Sequence, residues 1–131
     1  MAASHKFEIA VVTAQMACEI QVERVLRAWF ACRALTDLES AIDDLLPGYN
    51  LSNEKLRKLY TSLTGDAIQH QSFWGEYKVL VSLRNKAVHA GVRLQETHAK
   101  VGISAAQRML RHLAWVEQQA NARGAGNAVG A

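Results

Sequence analysis

SHKFEIAVVTAQMACEIQVERVLRAWFACRAL, residues Ser4 to Leu35, contains neither glycine nor proline, so nothing in it interrupts a helix. Ser4 stands where an N-cap belongs. At about 100° per residue, Ile9, Val12, Met16, Ile20, Leu26 and Phe30 gather on one face, and Val11, Cys18, Val22, Val25 and Trp29 on the opposite one. A helix apolar on two sides needs two partners. One is the core of its own bundle, and the other is expected to be a second copy of the chain.

Outward from this helix, the punctuation favours more helices. The 131 residues include one proline, Pro47, and eight glycines, far fewer turn residues than sandwiches or barrels require. Thr36–Glu39, TDLE, has the capping-box pattern and opens a short helix that stops at LLPGYN. Ser52 or Asn53 caps NEKLRKLYTSL, which ends before Gly65. A fourth helix runs from Gln69 or Ser72 to Ala90, closed by Gly91. The last runs from Gln95 to Asn121, with Ala99, Ile103, Ala106, Leu110 and Leu113 on one side. The expected architecture is all-α, a compact bundle of four to five helices in one domain over residues 1–122. A disordered tail, rich in small residues, is expected over 123–131.

The bulk chemistry bounds the environment. No apolar run reaches membrane-spanning length, and Lys6 and Glu8 break the first segment, so a soluble, unsecreted, cytoplasmic chain with no membrane partner is expected. Cys18 and Cys32 lie fourteen residues apart on one helix, roughly 21 Å at ~1.5 Å per residue, too far to bridge within a chain. A reducing compartment fits two free thiols. Charge is divided unevenly: residues 1–76 hold seven Lys/Arg against ten Asp/Glu, net −3, and residues 77–131 hold eight against two, net +6. A basic half suits a polyanion such as RNA, although helices of opposite charge within one bundle would produce the same division.

The run that carries chemistry is RNKAVH, Arg84 to His89, within YKVLVSLRNKAVHAG at the end of the fourth helix. An arginine stays charged at working pH and holds two phosphate oxygens at once. An imidazole can take and return a proton near neutrality. RNA carries its own nucleophile, the 2′-hydroxyl, so strand cleavage needs only proton transfer and stabilisation of a crowded phosphorane. On an ideal helix Arg84 and His89 stand about 140° apart, and Asn85 and His89 about 40°. Asn85 is therefore the better group to orient the imidazole, while Arg84 reaches round to a shared phosphate or serves the other subunit.

Arg84, Asn85 and His89, at the end of a helix and before a glycine, resemble the signature of the HEPN family: arginine, a polar residue, a short spacer and histidine in a small helical bundle. The resemblance extends from about residue 8 to residue 120 through the order of helices. It implies a HEPN-like fold, metal-independent endoribonuclease activity of a toxin or defence type, no cofactor, and a homodimer that pairs two motifs. It also implies a possible cognate antitoxin or inhibitor protein. In the toxins controlled by a minimal nucleotidyltransferase, a tyrosine stands two residues after the motif histidine. Gly91 holds that place here, so control by tyrosine modification is not expected. The alternative is a catalytically silent HEPN-like dimer that binds nucleotide, RNA or another protein.

Other candidates follow from placement. Phe73, Leu80, Leu83 and Ala87 mark the core side of the fourth helix, and Trp74, Val81 and Val88 form a stripe expected to be the dimer seam, or else the margin of a wide core. Glu19 and Glu23, one turn apart on an apolar face, are costly there unless paired. Either can bind Arg84 or steer His89, with Glu19 preferred, or form a buried salt bridge with Arg24 or Arg27 of a neighbouring copy. His5, His70, His98 and His112 lack ligand spacing, so no metal site is expected. Trp29, Tyr49, Tyr60 and Trp115 read as core rather than stacking platforms. Arg93, Lys100, Arg108 and Arg111 are candidates for an RNA path, or are simply solvated.

Overall fold

Helix-compatible runs separated by isolated breakers produce five helices and no strand in the computed structural model, which describes residues 5–130, with side chains to residue 124. In order these are α1 (Lys6–Cys32), α2 (Thr36–Leu45), α3 (Glu54–Thr64), a 3₁₀ turn (Ile68–His70), α4 (Trp74–His89) and α5 (Glu96–Gly130). None of these helices, over the described residues, is long and apolar enough to cross a membrane. Ser4, read as a cap, lies outside the described residues. The helix backbone of α5 continues to Gly130, beyond the Asn121 expected from the sequence. The expectation of a disordered tail over 123–131 concerns residues whose side chains, from 125 on, lie outside those described.

The chain divides into two compact units, residues 1–18 with 68–111 and residues 19–67 with 112–131. In the first, Val11, Cys18, Tyr77, Leu80, Ala99, Ala105 and Met109 are buried. The α4 and α5 helices approach closely there. A Cβ added at Gly102 would stand 3.2–3.3 Å from Leu80, its backbone Cα included. Gln15 is fully buried and its Nε2 donates to the Tyr77 hydroxyl at 3.2 Å, which offsets part of the cost of placing an amide in the core.

In the second unit Val22, Val25, Trp29, Leu51, Leu56, Tyr60, Leu113 and Val116 form the core. The indole Nε1 of Trp29 donates to the Val116 carbonyl at 2.9 Å, and Arg33 Nε donates to the Leu63 carbonyl at 2.6 Å. Asn53 accepts from the Leu56 amide and caps α3, while Gly65, at φ 77°, closes it in the left-handed conformation. The expected capping box at Thr36 is not formed. Thr36 is already helical, the N-cap position falls to Leu35, and no side chain caps α2. The end of α1 is also displaced from expectation, because Ala34 takes the left-handed φ of 57° that usually falls to glycine. The Leu35 amide then donates back to the Phe30 carbonyl at 2.8 Å.

The two apolar faces read on α1 have different fates. Val11, Cys18, Val22, Val25 and Trp29 are buried, as are Leu26 and Phe30, whereas Ile9, Met16 and Ile20 are more than half exposed. On an ideal helix those three fall within about 40° of one another, so α1 carries an apolar stripe in contact with solvent.

Candidate functional site

The RNKAVH run occupies the last turns of α4, and Gly91, at φ 61°, follows the helix as the sequence predicts. Phe73, Leu80 and Leu83 are buried and Ala87 is half-buried, which fixes the core side of α4. One correction concerns the stripe of Trp74, Val81 and Val88. Val81 is only 7 % exposed and packs in the core, so a single exposed seam through all three does not exist. At the motif end the exposed apolar side chains are Val88 and Val92.

Arg84 is half-buried, and its Nε is shielded from solvent without a hydrogen-bond partner. A buried guanidinium nitrogen with an unused donor is uncommon and calls for an acceptor. Asn85 and His89 are exposed, four residues apart and on one side of α4. Arg84 is about 60° from Ala87 around an ideal helix, and His89 about 160°. The arginine is thus turned toward the margin of the core, and the histidine toward solvent.

Beside Ala87 lies a cleft of about 310 Å³ whose other walls are His5, just before α1, and Glu8, Ile9, Val12 and Thr13 from its start. Its distinctive member is Glu8. The Glu8 side chain is 14 % exposed, its Oε1 stands 3.8 Å from His5 Nδ1, and its Oε2 is shielded without a hydrogen-bond partner. A carboxylate held in this way seeks a donor or a cation. In the sequence Glu8 reads only as a charge interrupting an apolar run. Its i, i+3 spacing from His5 was the available signal.

Glu19 is half-buried on α1 and belongs to the second unit; it is not among the residues lining this cleft. Glu8 and Glu19 are eleven residues apart, within about 20° of one edge of the helix and roughly 16 Å apart along it. Glu23 is engaged within its own helix, accepting from Arg27 Nη2 at 2.6 Å. Arg24 instead meets Glu117 at 3.3 Å. Among the basic residues considered for an RNA path, Arg93, Lys100 and Arg111 are exposed, whereas Arg108 is tied to Glu76. Lys100 meets Glu96 at 2.9 Å on the surface.

The second unit holds a polar network that no sequence pattern singles out. Tyr60, fully buried, donates from its hydroxyl to Asp66 Oδ2 at 2.6 Å, and His112 Nε2 lies 2.7 Å from the same oxygen. Burial pushes the Asp66 carboxyl up, but the hydrogen bonds from His112 and Tyr60 and the His112 charge outweigh it. The net effect holds Asp66 below the usual carboxylate range. Burial, and then the hydrogen bond to Asp66 and its charge, push the Tyr60 phenol far above its ordinary value. Trp115, read from sequence as core, is 55 % exposed.

Among the described residues no three His, Cys, Asp or Glu side chains gather as metal ligands. No protein-family model matches the chain, and no curated protein or solved structure matches it significantly.

Proposed function

We propose that the chain is a homodimeric, metal-independent endoribonuclease of HEPN type, in which the Arg84–His89 end of α4 is the reacting surface. The observation that carries this reading is the state of Arg84: a half-buried guanidinium with an unused donor, on the helix that presents exposed Asn85 and His89. Arg84 binds the scissile phosphate and stabilises its developing charge. His89 is the proton carrier and Asn85 orients its ring. In the reaction the 2′-hydroxyl gives up its proton as its oxygen bonds to phosphorus. The bond from phosphorus to the 5′-oxygen breaks, and that oxygen receives a proton. The products are a cyclic phosphate and a free 5′-hydroxyl.

Two protomers supply the geometry that one lacks. Arg84 and His89 diverge by about 140° around α4, so the arginine of one copy and the histidine of the other share a phosphate. The exposed Ile9 and Met16 of α1, and Val88 and Val92 by the motif, offer apolar surface for pairing. Glu8, which lines the cleft beside Ala87 and has an unused acceptor, joins Glu19 as a carboxylate that steers the motif. It draws the Arg84 guanidinium into position when RNA is bound.

The same exposed apolar side chains favour a second reading, a catalytically silent dimeric interaction or RNA-binding module. Purified protein incubated with varied single-stranded RNAs in chelator separates the two. The proposal expects cleavage by the parent chain and a loss of about 100-fold or more in His89→Ala, the range of a lost proton carrier. Equal inactivity of both leaves the binding module.

A further inference from the structure

The second unit contains a pocket of about 180 Å³ next to the Asp66 network, with Trp29, Asp66, Trp115, Gln119 and Arg123 among its walls. Its chemistry is specific. The Arg123 guanidinium lies 5.2 Å from the Trp29 ring centroid, so the indole holds this cation in place. Trp115 presents an indole that is 55 % exposed and is itself braced by His112, with ring centroids 6.0 Å apart. Asp66 Oδ2 is occupied by Tyr60 and His112. Its second oxygen remains as an acceptor for a ligand N–H, and Gln119 adds an amide that both donates and accepts.

Size and charge then select the ligand class. At about 180 Å³ the pocket is smaller than the ~300–1,000 Å³ usual for a whole small molecule, so it suits one ring of a larger body. A ring that stacks on indole or guanidinium and offers an N–H edge to a carboxylate is a nucleobase. A neighbouring cation favours a body that carries phosphates. We infer that this pocket is a stacking site for a single unpaired base of single-stranded nucleic acid, with Trp115 and Arg123 as platform and Asp66 as the edge-reading acceptor. The inference goes beyond the cleavage chemistry of α4 and does not depend on it.

Oligonucleotides of ten residues carrying one central 2-aminopurine test it directly, because emission from that base falls when it stacks on an aromatic ring. The full chain is titrated with the DNA oligomer, and full-length His89→Ala with the RNA oligomer, so that cleavage does not interfere. Quenching by both assigns the pocket to unpaired bases in general, and quenching by one alone selects RNA or DNA. Trp115→Ala and Arg123→Ala, each introduced into both chains, are each expected to weaken binding about tenfold, as loss of one stacking contact does. Circular dichroism checks that each variant is folded. Absence of quenching with both oligomers overturns the proposal, as does equal binding of the corresponding duplex. Displacement by free L-tryptophan but not by AMP assigns the pocket to an amino acid and also overturns it. Quenching left unchanged in a folded variant places the base elsewhere and also overturns the proposal; Trp115 is exposed, so Trp115→Gln serves if an alanine variant fails to fold.

Discussion

Replacing Asp66 by alanine removes the acceptor shared by Tyr60 and His112, at 2.6 Å and 2.7 Å. Each hydrogen bond to a charged group contributes about 1.5–3 kcal/mol, so the pair amounts to roughly 3–6 kcal/mol. Solvent screening takes little of this, because the His112 and Asp66 side chains are only 14 % and 13 % exposed. Water entering beside the pocket recovers part, and the expected net loss is about 3–4 kcal/mol, a large share of the ~5–15 kcal/mol typical of a domain. In urea, at a slope near ~2 kcal/mol/M, the midpoint should fall by about 1.5–2 M. The pH dependence has a definite sign. Asp66 titrates lower in the folded chain than in the unfolded chain, so its contribution is complete above the ordinary carboxylate value. It disappears as pH falls through the lowered one, below about pH 4. Asp66→Asn should flatten that acid limb. A midpoint for Asp66→Ala within about 0.3 M of the parent, with an unchanged acid limb, would mean that the shared carboxylate does not stabilise the fold.

Other substitutions probe separate features. Gly102→Ala gains about 1 kcal/mol of helix propensity but drives a methyl against the Leu80 backbone at 3.3 Å. Thermal melting should show a net loss near 1 kcal/mol. Glu8→Gln removes the charge from the cleft beside Ala87 and should lower RNA cleavage about tenfold, with binding less affected, if the carboxylate positions Arg84. Equal rates in Glu8→Gln and the parent would exclude that role. Met16→Glu places a charge on the exposed α1 stripe. Solution mass measurement should show the parent as a dimer of the 14.5 kDa chain and the variant as a monomer.

Helix identity was legible because breakers are few and well placed: Asn53, Gly65 and Gly91 act as their residue types predict. The end of α1 was not legible, since alanine at 34 adopts a conformation that sequence rules assign to glycine. Periodicity located two apolar faces on α1 without telling which one the chain buries, because that choice belongs to packing. It also misassigned Val81, which a seven-residue spacing joins to Val88 but which the core claims. The motif residues could be named from their order. The Glu8 cleft and the Tyr60–Asp66–His112 network could not, because Ala87 closes the first and His112 completes the second only through tertiary contacts. Trp115 shows the same limit from the other side: an aromatic residue at helical spacing carries no mark of its exposure.

The α1 and α5 helices each contribute residues to both compact units. Neither unit corresponds to an uninterrupted stretch of the gene. A stop codon before residue 112 in α5 truncates both bodies, and recombination cannot pass one of them intact into another protein by a single exchange. Exchange of either body therefore requires at least two crossovers.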